Sequence, residues 1–150
     1  MPKRGSGNNM GKVRVDLQSV EVLQGQGVAE GKLELIVMVS DGNTKVRWPQ
    51  GGNDSVAKVR ANGLVKDINQ ELHTYTIPKG EKLNKSFEVN VIEVDKGLHG
   101  LDDEGTGTVV IKLEPNMRPI HPHVDIVLKR PRSNKGNGKV RVTLAASDVE

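Results

Sequence analysis

Apolar and polar residues alternate along most of this chain, and a period of two predicts strands. In "KVRVDLQSVEVL" Val13, Val15 and Leu17 share one face, while Val20 and Val22 are out of step with them. A change of parity inside a strand predicts a bulge near Gln18 and Ser19. "KLELIVMVS" puts Leu33, Leu35, Val37 and Val39 on one face. Ile36 and Met38 make its other face apolar as well, so it reads as a central strand. Asp41-Gly42 signals a type I′ hairpin, with "TKVRW" as the returning strand. The runs "ELHTYTI", "SFEVNVIEV", "GTVVIKLE", "HVDIVLKR" and "KVRVTLAAS" continue the alternation. Pro78-Lys79-Gly80 marks a turn, and Pro115, Pro119 and Pro122 keep 115–122 extended. Residues 49–71 break the pattern and read as a long excursion holding one short helix or an edge strand.

About eight strands at this spacing leave no room for the helical crossovers of a parallel sheet. The expected fold is all-β, an antiparallel eight-stranded β-sandwich. With 150 residues the chain suits one domain. It has one Trp, one Tyr and one Phe, so Val, Leu and Ile must form the core. The expected organisation is a flexible basic arm over 1–11, the sandwich over 12–129, a basic linker over 130–138 and a last strand over 139–150.

"GKVRVDL" near the start recurs as "GKVRVTL" near the end. K-V-R-V is a generic exposed strand, and coincidence explains the echo on that ground. The functional alternative is that the two segments pair alike, with the last strand swapped or donated to a neighbour. On that reading Val13, Val15, Leu17, Val140, Val142 and Leu144 carry subunit assembly, and the partner is a second copy of the chain.

Charge is uneven. Residues 1–12 and 129–141 together carry +9 with no acid, leaving −6 on the rest of a chain whose net charge is +3. Basic extremities suit an anionic partner, either anionic lipid or nucleic acid, through Lys3, Arg4, Lys129, Arg130, Arg132 and Lys135. Two solvated tails are the plain alternative. Single-strand binders usually offer stacking aromatics, which this sequence barely has.

The acids concentrate in "VIEVDKGLHGLDDEGTG". Glu93 and Asp95 project to one side of a strand, and the turn that follows returns Asp102, Asp103 and Glu104 toward them. The stretch "VNVIEVDKGLHGLDDEGTGTVVIKL" resembles the part of C2 domains in which a strand ends in alternating acids before an acidic loop. The resemblance implies a C2-like sandwich, a jelly-roll-like one being the alternative, and calcium held by Glu93, Asp95, Asp102 and Asp103. It departs at "LQGQGVAEG", where the matching loop has only Glu30, and at Glu93, where C2 domains carry Asp. A solvated acidic loop is the competing reading.

His121, His123 and Asp125 share a face of an extended segment and could contribute to zinc, although a structural site takes four ligands. No Cys is present, so disulfides and thiolate chemistry are excluded. No Ser lies in G-x-S-x-G or S-x-x-K, and no phosphate-loop or dinucleotide glycine pattern occurs. The sequence therefore predicts no enzyme, no small-molecule substrate and no obligatory cofactor. It shows no signal peptide and no apolar run able to span a bilayer, which favours the cytoplasm or an assembled particle. The leading expectation is a non-catalytic assembly subunit. The alternatives are a calcium-responsive module on anionic phospholipid and a coat-type protein touching nucleic acid.

Overall fold

The structure is a computed structural model, and it describes residues 9–24, 32–52, 55–94, 102–129 and 136–149. Ten strands follow one another: β1 (Met10–Gln24), β2 (Lys32–Ser40), β3 (Lys45–Trp48), β4 (Ala57–Arg60), β5 (Leu64–Val65), β6 (Gln70–Pro78), β7 (Leu83–Glu93), β8 (Asp103–Leu113), β9 (His123–Lys129) and β10 (Gly136–Asp148). All the pairings are antiparallel.

Hydrogen bonding runs β3-β2-β7-β8-β9-β10-β1-β5, with β4 also on β2 and β6 also on β1. The half β3/β4-β2-β7-β8 and the half β9-β10-β1-β6/β5 meet at one bridged pair, Glu104 with Lys129. There the sheet folds over. Gly105 permits the fold, because a Cβ at that position would stand 2.3 Å from the Val127 carbonyl oxygen and 2.5 Å from Ile126 Cγ2. The two halves lie face to face, which makes the all-β sandwich that the alternation predicts.

The core consists of the inward set of each strand. Val13, Val15, Leu17, Leu35, Val37, Phe87, Val89, Leu128, Val140 and Leu144 are buried. β1 keeps both of its out-of-step halves inside by a register shift between Leu17 and Ser19, where the parity change in the sequence places it. Without that extra residue Val20 and Val22 would face water. β2 is central, between β7 and the β3/β4 pair.

Three features differ from the sequence reading. Of the two readings of the excursion over 49–71 the edge strand holds, and its described residues form no helix; β4 and β5 lie end to end with β3 and β6 along β2 and β1, which raises the strand count from eight to ten. The turn after β2 spans four residues, since Ser40 pairs with Lys45. The Asp41 carboxylate accepts the N–H groups of Asn43 (2.8 Å) and Thr44 (2.7 Å), which stabilises a longer loop than Asp-Gly alone would make. Residues 136–138, expected in the linker, belong to β10.

Candidate functional site: the loop-bearing end and the β3–β6 side

Strand register brings five strand ends together. Gln24 pairs with Lys139, Glu93 with Asp103, Glu104 with Lys129, and Lys129 with Gly136. The connections 25–31, 95–101 and 130–135 leave from this end and lie outside the described residues.

Of the four acids expected to hold calcium, Glu93 and Asp103 are direct cross-strand neighbours. Both face inward: Asp103 is 1% exposed and Glu93 9%. Two like charges set opposite each other on a ladder repel, and burial raises the cost unless positive charge or hydrogen-bond donors offset it. Each of the two residues makes a polar or electrostatic contact, as does Asp102, which is half-buried. Asp95 lies outside the described residues. Carboxylate oxygens are the donors calcium prefers. Among the described residues, however, no group of three or more His, Asp or Glu stands close enough to hold a metal ion. The described donors thus supply part of a calcium set. Glu104 projects from the opposite face, exposed, beside exposed Lys129.

The expected anion-binding residues divide in the same way. Lys129 ends β9 at this end of the sandwich, whereas Lys3, Arg4, Arg130, Arg132 and Lys135 lie outside the described residues. The residues named for assembly form the core between β1 and β10. Leu17 pairs with Leu144, Val20 with Val142 and Val22 with Val140. Val13, Val15, Leu17, Val140, Val142 and Leu144 are 0–1% exposed, and β10 sits between β9 and β1 of its own chain. The echo KVRV thus occupies two adjacent central strands, with valines inward and basic residues outward.

Asp125 and Arg141 are a cross-strand pair on the outer face. Arg141 donates from Nε (2.8 Å) and from NH2 (3.2 Å) to the two carboxylate oxygens. The hydrogen bond from Arg141 holds the Asp125 carboxyl below its ordinary range, against the opposing effect of burial. Arg141 also pairs in register with Glu21, so charge alternates across three strands. Asp125 is therefore engaged by a cation on the face where zinc was considered, and His121 and His123 are exposed.

The opposite side joins β3 to β6. Tyr75 donates its hydroxyl hydrogen to Asp41 Oδ2 at 2.5 Å, and Gln70 Nε2 donates to the Arg47 carbonyl at 3.0 Å. Tyr75 also meets Phe87 edge-on at 6.3 Å and His73 at 4.7 Å, with Lys85 Nζ 5.6 Å from its ring centre. Burial, and then the bond to Asp41, push the Tyr75 phenol above its ordinary value. Burial alone would raise the Asp41 carboxyl. The bonds from Tyr75, Thr44 and Asn43 and the nearby Lys85 outweigh it and bring it down to about 2.

Beside this tie, Trp48, Gln50 and residues 65–71 line an open groove. Sequence reading passed over it, because Trp48 ends a strand and its partners in the groove come from the irregular excursion that follows. The available signal was the pairing of the only Trp with a segment in which Asp67 and Asn69, two turn-forming types, alternate with apolar Ile68.

No family model matches the chain, and no curated protein matches it. Solved structures do. A structure described as a C2 domain is 13% identical, with a TM-score of 0.42 over 93% of this chain and 99% of that one. The first C2 domain of plant Extended Synaptotagmin 1 is 15% identical, with a TM-score of 0.38 over 93% and 96%. A C2 domain protein from Ramazzottius varieornatus is 13% identical, with a TM-score of 0.36 over 95% and 91%. At these identities and scores the likeness assigns no role to the chain, and its all-β architecture rests on its own strand pairing.

Proposed function

We propose that the chain is a non-catalytic binding module whose loop-bearing end meets anionic phospholipid, with calcium as the bridging ion. The observation that carries this reading is the buried register pair of Glu93 and Asp103 at the base of that end. Opposed carboxylates make a locus that favours a cation. Asp102 adjoins Asp103 in sequence, and Asp95 follows Glu93 by two residues, so further hard oxygens lie within the same connection. Bound calcium would neutralise these carboxylates and offer coordination positions to phosphate or carboxylate oxygens of a headgroup. Lys129, and the Arg130, Arg132 and Lys135 that follow it in sequence, add attraction to an anionic surface.

Calorimetry of the full chain with calcium chloride, alongside its melting temperature, tests the ion. Heat of binding and a raised melting point are expected, and both should vanish in Asp103→Asn. Co-sedimentation with phosphatidylserine vesicles, against phosphatidylcholine vesicles and with or without chelator, tests the surface. Absence of any calcium heat or melting shift in the unaltered chain rejects the proposal.

A further inference from the structure

The groove at the β3–β6 side encloses about 640 Å³, within the range of small-molecule sites. Its floor is apolar: Trp48, Val65 and Ile68 are half-buried and pack on the core. Its rim is polar and close to neutral, with three primary amides (Gln50, Asn69, Gln70) and Lys66 set against Asp67 and Glu71. A second concavity of about 410 Å³ shares Gln50 and Gln70 and extends over Gly51 and Gly52, so the trough is longer than one small ring.

This wall is irregular but held. Val65 pairs with Val20, and the Ile68 N–H donates to the Gln18 carbonyl at 3.0 Å. Arg14 NH2 donates to the Asn69 carbonyl at 3.3 Å, and Gln70 is tied to Arg47. Asp67 (φ 59°) and Asn69 (φ 51°) both adopt the left-handed conformation, on either side of Ile68. Asp and Asn adopt this conformation in ordinary turns, as Asn62 and Asn116 do elsewhere in the chain, and here the bonds just named fix it. The groove is therefore largely preformed, which lowers the ordering cost of binding.

We infer that this groove binds a neutral oligosaccharide, with one sugar ring lying on Trp48 and its hydroxyls met by Gln50, Asn69, Gln70, Asp67 and Glu71. The match is chemical. A pyranose has an apolar C–H face that suits an aromatic side chain. It also has a ring of hydroxyls that both donate and accept, as primary amides do. Carboxylates accept from the same hydroxyls. A phosphate-bearing ligand would want a cationic rim; here Lys66, and Lys45 in the second concavity, stand against Asp67 and Glu71, while the Arg47 guanidinium already donates to the Pro49 and Ser55 carbonyls. An acyl chain would want a wholly apolar channel.

Trp48 is the only tryptophan, so its fluorescence reports on this groove alone. Soluble oligosaccharides of glucose, mannose and galactose are titrated into the full chain, with a heparin fragment and a nucleotide as charged comparators. A saturable change in Trp48 emission with one neutral series, at micromolar to millimolar concentration and unaffected by calcium chelation, is expected. By calorimetry, Trp48→Ala should weaken that binding about tenfold or more. Should Trp48→Ala fail to fold by circular dichroism, Trp48→Phe should retain binding and Gln50→Ala should weaken it severalfold. No saturable change with any neutral series, a response to the charged comparators alone, or affinity unaltered in both Trp48→Ala and Gln50→Ala overturns the inference. Because this test runs without calcium, its outcome is independent of the reading proposed for the loop-bearing end.

Discussion

The Tyr75 hydroxyl on β6 donates to the Asp41 carboxylate just beyond the end of β2, across the two halves of the sandwich. Tyr75→Phe keeps the ring against Phe87 and removes only this bond. A bond to a charged acceptor contributes about 1.5–3 kcal/mol, and the partly solvated setting argues for the lower half of that range. Denaturant unfolding should register the loss. Asp41 is held at about 2, below an ordinary 3.8, so it contributes stability above pH 3.8 that is lost as pH falls toward 2. Tyr75 is shifted upward, so its contribution is full below pH 10 and lost only as pH rises through its elevated value. As the only Tyr, its phenolate absorbance should appear at higher pH than a free phenol's, and Asp41→Asn should bring the transition down.

Gly105 lies against the β9 backbone, and a methyl group there would strike Val127 and Ile126. Gly105→Ala should cost about 1–3 kcal/mol through overpacking. Amide hydrogen exchange should accelerate first in β8 and β9, at the Glu104–Lys129 junction. Unchanged protection there would mean that the fold-over does not depend on this close approach.

β10 carries Val140, Val142, Leu144 and Ala146 into the core between β9 and β1. Truncation after residue 135 should abolish cooperative unfolding, because it uncovers the inward faces of both neighbouring strands. If β10 completes its own chain's sheet, the melting temperature of the intact protein should not vary with concentration. A rise with concentration would indicate exchange between chains.

Arg141 clasps Asp125 on the solvent side. Carbon-detected titration should find the Asp125 carboxyl below the ordinary carboxylate range, and Arg141→Gln should return it upward. The folded-state value is depressed, so the associated stability exists above the unfolded value and fades as acid protonates Asp125. Added salt should diminish the effect, since both partners face water.

Most of the sheet was legible in the sequence because period two is a direct consequence of one buried face. Val13 to Val22 is the clearest instance, for the parity change itself located the bulge. β4 and β5 were legible only as an edge strand somewhere within 49–71. At four and two residues they are too short to display a period, and they exist because β2 and β1 offer unfilled edges to them. At the loop-bearing end, Glu93 and Asp103 could be named from spacing. That they face each other inside the sandwich depends on β7–β8 register, which spacing alone does not fix. The groove at Trp48 was hidden for a related reason, since its walls come from segments about twenty residues apart joined by Gln70 and Arg47.

The junction at Glu104 and Lys129 has a further effect. Bare strand rims with free amides are templates on which fibrils grow, and a valine-rich ribbon is a ready substrate for them. Joining β8 to β9 removes two such rims at once. The rim left at β3 and β4 bears Lys45, Lys58 and Arg60 and runs into Pro49, which lacks the donor that an incoming strand would need. Along β3/β4 and at the β8–β9 junction the aliphatic sheet thus withholds an open ladder, and among the described residues the outer edges of β5 and β6, which pair only with β1, are the rim that remains.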